Sequence, residues 1–142
     1  MTTELLATGW RAQQSGDFAG AEKAYRQAVE HQPENAQGWY LLGALSLKRG
    51  DLAAAAASLE RALQLRPGFV EALNHRGVAC VKLERYAEAA DSFRQALSFK
   101  PNDAEIQTNL ALLLFHQGQI ADQLVGLRSK RELVASFDRL KV

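Results

Sequence analysis

Apolar residues along this chain recur with two nested periods. Within stretches of about 13 residues they fall three and four positions apart, which places them on one face of an α-helix. Over the longer range the pattern repeats every 34 residues. Large apolar or aromatic side chains return at Phe18, Leu52 and Tyr86 and at Tyr25, Leu59 and Phe93. Small ones stand between them at Ala21, Ala55 and Ala89 and at Ala28, Ala62 and Ala96. Glycine falls at Gly9, Gly43 and Gly77, where a missing side chain lets one helix approach the next. The chain's three prolines, Pro33, Pro67 and Pro101, keep the same interval (67 − 33 and 101 − 67). A fixed period of about 20 to 50 residues marks a repeat protein, whose units bury their apolar faces only by stacking on one another.

Counted from 31 residues before each proline, the units are Thr2–Asn35, Ala36–Phe69 and Val70–Asp103, with a divergent fourth over residues 104–127. Gly16-Asp17, Gly50-Asp51 and Glu84-Arg85 punctuate the middle of each full unit. The pattern predicts two helices per unit joined by a tight turn, with knobs and holes alternating along them. Asp17 and Asp51 are placed to cap the second helices rather than to act as acids.

These residues resemble the tetratricopeptide repeat, whose pattern sets a bulky residue, Leu-Gly, Ala, an aromatic or large residue, Ala and a closing Pro at fixed positions. The second unit carries it as Trp39, Leu42, Gly43, Ala55, Leu59, Ala62 and Pro67, and the third as Leu73, Gly77, Ala89, Phe93, Ala96 and Pro101. The first matches at Leu5, Gly9, Ala21, Tyr25, Ala28 and Pro33, with Thr8 where Leu is usual. The resemblance implies an all-α fold: a right-handed α-solenoid of helix-turn-helix repeats with seven or eight antiparallel helices.

The fourth unit departs from the pattern. Leu110, Ala111, Leu114 and Gly118 follow the rule of a first helix, but Gln123 and Lys130 stand where Ala belongs in the second. A terminal unit with a polar outer face is what the end of a solenoid requires, so a capping helix is expected from Ile120 onward. Leu133, Val134, Phe137 and Leu140 form a second apolar stripe, rotated by roughly 110° from Ile120, Leu124 and Leu127 at 100° per residue. Residues 128–142 are therefore expected to be a cap or tail that meets a different surface, in a weak homodimer or a groove.

Composition narrows the function. A chain of 142 residues that is 47% hydrophobic accommodates one small domain. A net charge of +1 gives no strong field toward nucleic acid or a membrane surface. The N-terminus lacks a basic start followed by an apolar run, and no stretch approaches the roughly 18 apolar residues of a membrane span. Cys80 is the only cysteine, at a register that faces the core, and a reducing, cytoplasmic location fits it. His31, His75 and His116 do not show metal-ligand spacing, and neither a phosphate-binding loop nor a nucleophile motif occurs. The expectation is a non-catalytic protein without cofactor or metal.

Function must then lie on a surface. In the family resembled here, the first helices line a concave groove. The stripe opposite their core face gives as candidate binding residues Leu6, Trp10, Tyr40, Leu41, Ala44, Leu47, Asn74, His75, Val78, Val81, Asn109, Leu112, Phe115 and His116. Trp10, Tyr40 and Phe115 are expected to share one face and to anchor a protein or peptide partner. The co-chaperone members of the family grip carboxylates with lysine, asparagine and arginine, but the matching positions here are Leu6, Trp10, Leu41, Glu71 and His75. One repeat further on they are Tyr40, Ala44, His75, Glu105 and Asn109, so neither frame makes a dicarboxylate clamp. An apolar groove rimmed by polar groups suits an amphipathic helix or an extended apolar peptide. Two other readings stay open: the targeting or scaffold part of a larger glycosyltransferase, sulfotransferase or methyltransferase, and a structural unit that self-associates through its tail.

Overall fold

Turn chemistry sets the element boundaries. The computed structural model describes residues 1–119. It contains α1 (Thr2–Gln14), α2 (Phe18–His31), α3 (Ala36–Lys48), α4 (Leu52–Leu65), α5 (Val70–Lys82) and α6 (Tyr86–Phe99). A seventh helix, α7, starts at residue 104 and continues to 119. No strand occurs among the described residues.

α1, α3 and α5 all end in the same way. Gly16, Gly50 and Glu84 take positive φ of 85°, 83° and 62°. Their N–H groups donate to the carbonyls of Gln13, Leu47 and Val81 at 3.0–3.1 Å, and those of Asp17, Asp51 and Arg85 reach back to Ala12, Ser46 and Cys80 at 2.8–2.9 Å. This paired closure satisfies carbonyls that the helix end leaves without partners. The residue that completes it also begins the next helix. The carboxylates of Asp17 and Asp51 accept from the N–H groups of Gly20 at 2.9 Å and Ala54 at 3.4 Å, as the sequence predicts.

Between hairpins the work is done by proline. Pro33, Pro67 and Pro101 follow the C-caps Gln32, Arg66 and Lys100, at a place where a residue with fixed φ and no N–H ends the helix. Asn35 and Asp103 then cap α3 and α7, accepting from Gly38 at 3.0 Å and Ile106 at 3.2 Å. The carbonyls of Pro33 and Pro101 accept from Trp39 Nε1 and Gln107 Nε2, both at 2.7 Å.

Inside each hairpin a glycine of the first helix faces a large side chain of the second. A Cβ added to Gly9 would lie 2.5 Å from Tyr25, one on Gly43 would lie 2.8 Å from Leu59, and one on Gly77 would overlap the Phe93 ring. Tyr25, Leu59 and Phe93 are fully buried, as are all six of the recurring alanines. The Tyr25 hydroxyl donates to Gln13 Oε1 at 2.9 Å, so its burial leaves no polar atom unmatched. Cys80 is fully buried, and burial pushes its thiol up, as expected of a small core residue.

The core is a series of clusters rather than one mass. Tyr25, Val29, Leu42 and Leu45 form the first; Leu59, Ala62, Phe69 and Ala72 the second; Leu73, Cys80, Phe93, Ile106 and Leu113 lie in the third. Trp39 packs against the first two and Leu63 against the last two. On α5, Arg76 donates to Ser92 Oγ and lies 3.6 Å from Glu60 and 3.8 Å from Glu88, tying α4, α5 and α6 together.

α7 differs from the sequence expectation in two ways. Ile106 and Leu113 are its buried residues, while Leu114 is 44% exposed and Ala111 and Gly118 are exposed as well. The face that packs on the third cluster is 106, 110 and 113, spaced four and three apart. Residues 111 and 114 hold the registers that, in α3 and α5, are occupied by Gly43, Ser46, Gly77 and Cys80, where the hairpin's own second helix closes over them. The helix also runs through 118 and 119, the register at which the earlier first helices turn. Gln119 stands where Asp17 and Asp51 provide a capping carboxylate, so the strongest local stop signal is missing. The expected second helix from Ile120 and the stripe Leu133, Val134, Phe137 and Leu140 lie outside the described residues.

Two stability changes of opposite sign are expected. Gly77→Ala and Ala89→Leu each overfill a closed crossing and should cost about 1–3 kcal/mol in urea unfolding. Glu84→Gly should stabilise by about 0.5–1 kcal/mol, because glycine takes the left-handed conformation without the clash of roughly 1–2 kcal/mol that a Cβ incurs, less its own entropy cost. Unfolding midpoints that do not move for Gly77→Ala would show that the crossing has slack.

Candidate functional site

Because α1, α3 and α5 lie side by side, contacting each other as well as their own hairpin partners, residues 34 apart share a row on one face. Leu6 and Tyr40 occupy one register, Ala7, Leu41 and His75 the next, and Trp10, Ala44 and Val78 a third. These eight, with Gln13, Gln37, Leu47, Lys48 and Lys82, line a groove of about 840 Å³. A second hollow of about 200 Å³ is lined by Val78, Val81, Lys82, Phe93, Asn109, Leu112, Leu113 and His116. Val78 and Lys82 belong to both, so the two hollows adjoin across α5.

The structure brings Leu6, Trp10, Tyr40, Leu41, Ala44, Leu47, His75 and Val78 into the groove and Val81, Asn109, Leu112 and His116 into the hollow. Two of the candidate residues stand apart. Asn74 is buried, donating from Nδ2 to Glu105 Oε1 at 3.4 Å and accepting from Asn109 Nδ2 at 2.9 Å, so its amide joins α5 to α7 instead of facing a partner. Phe115 is 65% exposed but lines neither cavity, and does not share a cavity with Trp10 and Tyr40. Ala7 was not a candidate, although its register, shared with Leu41 and His75, marks it. Gln13, Gln37, Lys48 and Lys82 belong to the same stripe and form the polar rim.

The aromatic residues are not equivalent. Trp10 is half exposed, on the groove wall. The Tyr40 ring lies 4.9 Å from Phe69 and 5.2 Å, edge-on, from His75, so the packing of the second cluster holds its orientation. His75 Nδ1 lies 2.7 Å from the Glu71 carbonyl oxygen. A carbonyl only accepts, so this nitrogen carries the proton and leaves Nε2 as the ring's other polar atom. His116 Nε2 sits 3.3 Å from the Tyr86 hydroxyl at the far hollow.

Charge is divided across the groove. Glu71 and Glu105 stand near the starts of α5 and α7, while Lys48 and Lys82 stand at the ends of α3 and α5. Burial pushes the Tyr40 phenol above its ordinary value, and the negative charges of Glu71 and then Glu105 push it further. Burial alone raises Tyr25. Among the described residues no group of three His, Cys, Asp or Glu side chains could hold a metal ion, and no helix is long and apolar enough to cross a membrane.

Stacked helical hairpins with a lined face on their first helices define an α-solenoid of helical repeats. The family model for the tetratricopeptide repeat matches residues 6–68, 45–104 and 76–127, and the chain belongs to that family. No curated protein matches it significantly. Among solved structures, the first repeat domain of Spaghetti (RPAP3), bound to an HSP90 peptide, is 20% identical with a TM-score of 0.80, covering 82% of this chain and 95% of that one. The repeat domain of Arabidopsis OM64 is 25% identical with a TM-score of 0.78, covering 81% and 95%. A mutant O-GlcNAc transferase of Thermobaculum terrenum is 28% identical with a TM-score of 0.74, covering 80% of this chain and 22% of that chain.

The raised phenols set an alkaline limit. The folded protein keeps Tyr25 and Tyr40 neutral beyond the pH near 10 at which they ionise when unfolded, so stability is full below that pH and falls as pH rises through the raised values. Tyrosinate absorbance should show both ionising late. Glu71→Gln with Glu105→Gln should bring Tyr40 only part of the way back, since burial remains. A full return to the ordinary value would mean that the ring is wetter than its contacts with Phe69 and His75 imply.

Proposed function

We propose that this chain is a protein-interaction module that holds a segment of a partner protein, an amphipathic helix or an extended apolar peptide, in the groove of α1, α3 and α5. The observation that carries this reading is the groove itself: an apolar floor of Leu6, Leu41, Ala44, Leu47 and Val78 with the Trp10 ring half exposed beside it. An apolar floor shared by three neighbouring helices and rimmed by polar groups suits an amphipathic helix or an extended apolar peptide. Membership of the repeat family supports it, as does the HSP90 peptide bound by the Spaghetti domain of the same fold. The ligand differs from one gripped by a dicarboxylate clamp, because none of Leu6, Trp10, Leu41 and Glu71 carries the positive charge such a clamp uses. The second hollow, with Leu112 and the adjoining Phe115, extends the surface toward α7.

The Thermobaculum terrenum transferase favours a second reading, in which such a solenoid is the targeting or scaffold part of an enzyme. In both readings the chain's own contribution is binding rather than chemistry. Self-association through residues 128–142 is a separate proposal, and light scattering over a concentration series before and after deleting them decides it.

The groove reading predicts that Trp10→Ala weakens a captured partner by about 30-fold, the usual effect of truncating an aromatic anchor worth about 2 kcal/mol. Phe115→Ala should do much less. Titration of the purified partner against each variant measures both, and a partner indifferent to Trp10→Ala would move the site off this face.

A further inference from the structure

Resting on the reading of the groove as a partner site, we propose that the partner segment is apolar where it meets the floor and carries carboxylates along the edge that passes Lys48 and Lys82. Among the described residues these two are the only Lys, Arg, Asp or Glu that line the groove, and no acidic one lines the adjoining hollow.

Lysine in the last turn of a helix is favoured by the helix dipole, which accounts for a cation at these two positions. It does not account for their lack of counter-charge. Arg49, the next residue after Lys48, pairs with Glu22 at 3.1 Å on the outer side of the hairpin. Arg26, Arg76 and Lys100 also have carboxylate partners; among the described residues neither groove lysine has one, a state shared with Arg11, Lys23, Arg61, Arg66, Arg85 and Arg94. Lys48 instead lies 5.6 Å over the Phe18 ring. On the opposite edge Glu71 lies 3.5 Å from Lys100 and Glu105 accepts from Asn74, and neither carboxylate lines the groove. The charged side chains that do line it are both positive.

Lys48 and Lys82 are exposed at the rim, so a neutral segment on the floor leaves their charge in water and gains nothing from it. One with carboxylates there gains charge-assisted hydrogen bonds and a faster, salt-sensitive encounter. Neighbouring helices lie roughly 8–10 Å apart, so on a helical segment matching carboxylates fall about seven residues apart, a spacing that also returns them to one face. The same rule makes this chain's own tail a poor occupant, because residues 126–142 hold five Lys or Arg against two Asp or Glu.

A random peptide display library selected on the full chain tests this. Enriched peptides should combine apolar residues with an acidic excess. A synthetic copy should bind at least about tenfold more tightly than the same peptide with Gln for each Asp and Glu, with the difference shrinking as salt rises. Lys48→Glu with Lys82→Glu, two exposed positions, should reverse the preference toward basic peptides. Ala44→Trp, which fills the floor without adding charge, should abolish binding in every case. Peptides without charge bias that are lost on Ala44→Trp overturn this inference while the groove reading stands. Peptides indifferent to Ala44→Trp, or no enrichment at all, overturn both. Displacement of the selected peptide by a synthetic peptide of residues 128–142 would make the tail the occupant and also overturn the inference.

Discussion

The close approach of a glycine to a large buried side chain, Gly9 to Tyr25, Gly43 to Leu59 and Gly77 to Phe93, is the constraint on which the rest of this solenoid depends. With no Cβ on one side and a ring or branched chain on the other, the two helices of a hairpin settle at one depth and one rotation. That rotation decides which residues of α1, α3 and α5 turn outward. The groove is in this sense the reverse side of the glycine crossing: Ala44 follows Gly43, and Val78 follows Gly77.

Much of this was legible in the residues because a period of 34 acts on every level at once. The prolines, the left-handed turn positions, the capping aspartates and the glycine crossings all report the same register, and mutual agreement of local signals is what a sequence committed to one fold shows. The floor of the groove was legible for the same reason. Counting positions on a helix tells which way a side chain points, but not what already covers it. Asn74 points toward the groove side and is sealed there by Glu105 and Asn109, two residues one repeat ahead. Phe115 has an interface anchor's size and exposure but lines neither the groove nor the hollow. Leu114 and Gly118 keep the registers of a first helix, and among the described residues α7 runs on through 118 with Leu114 exposed.

Electrostatics divides the concave face more cleanly than hydrophobicity does. Glu71 and Glu105 stand near the starts of α5 and α7 while Lys48 and Lys82 stand at the ends of α3 and α5, so the stacking sets charges of opposite sign at the two ends of the groove-lining helices. Of these four, only the two lysines line the groove itself. An occupant would thus be oriented across the groove by charge while its apolar contacts supply affinity, a division of labour common in recognition surfaces.

The core clusters straddle the joints between hairpins: Tyr25 and Val29 of α2 sit with Leu42 and Leu45 of α3, and Leu59 and Ala62 of α4 with Phe69 and Ala72 at α5. The seam between neighbouring hairpins is thus itself core. Taking one hairpin out of the stack would lay bare two half-cores, one on each neighbour, so an array of this kind lengthens or shortens by whole repeats.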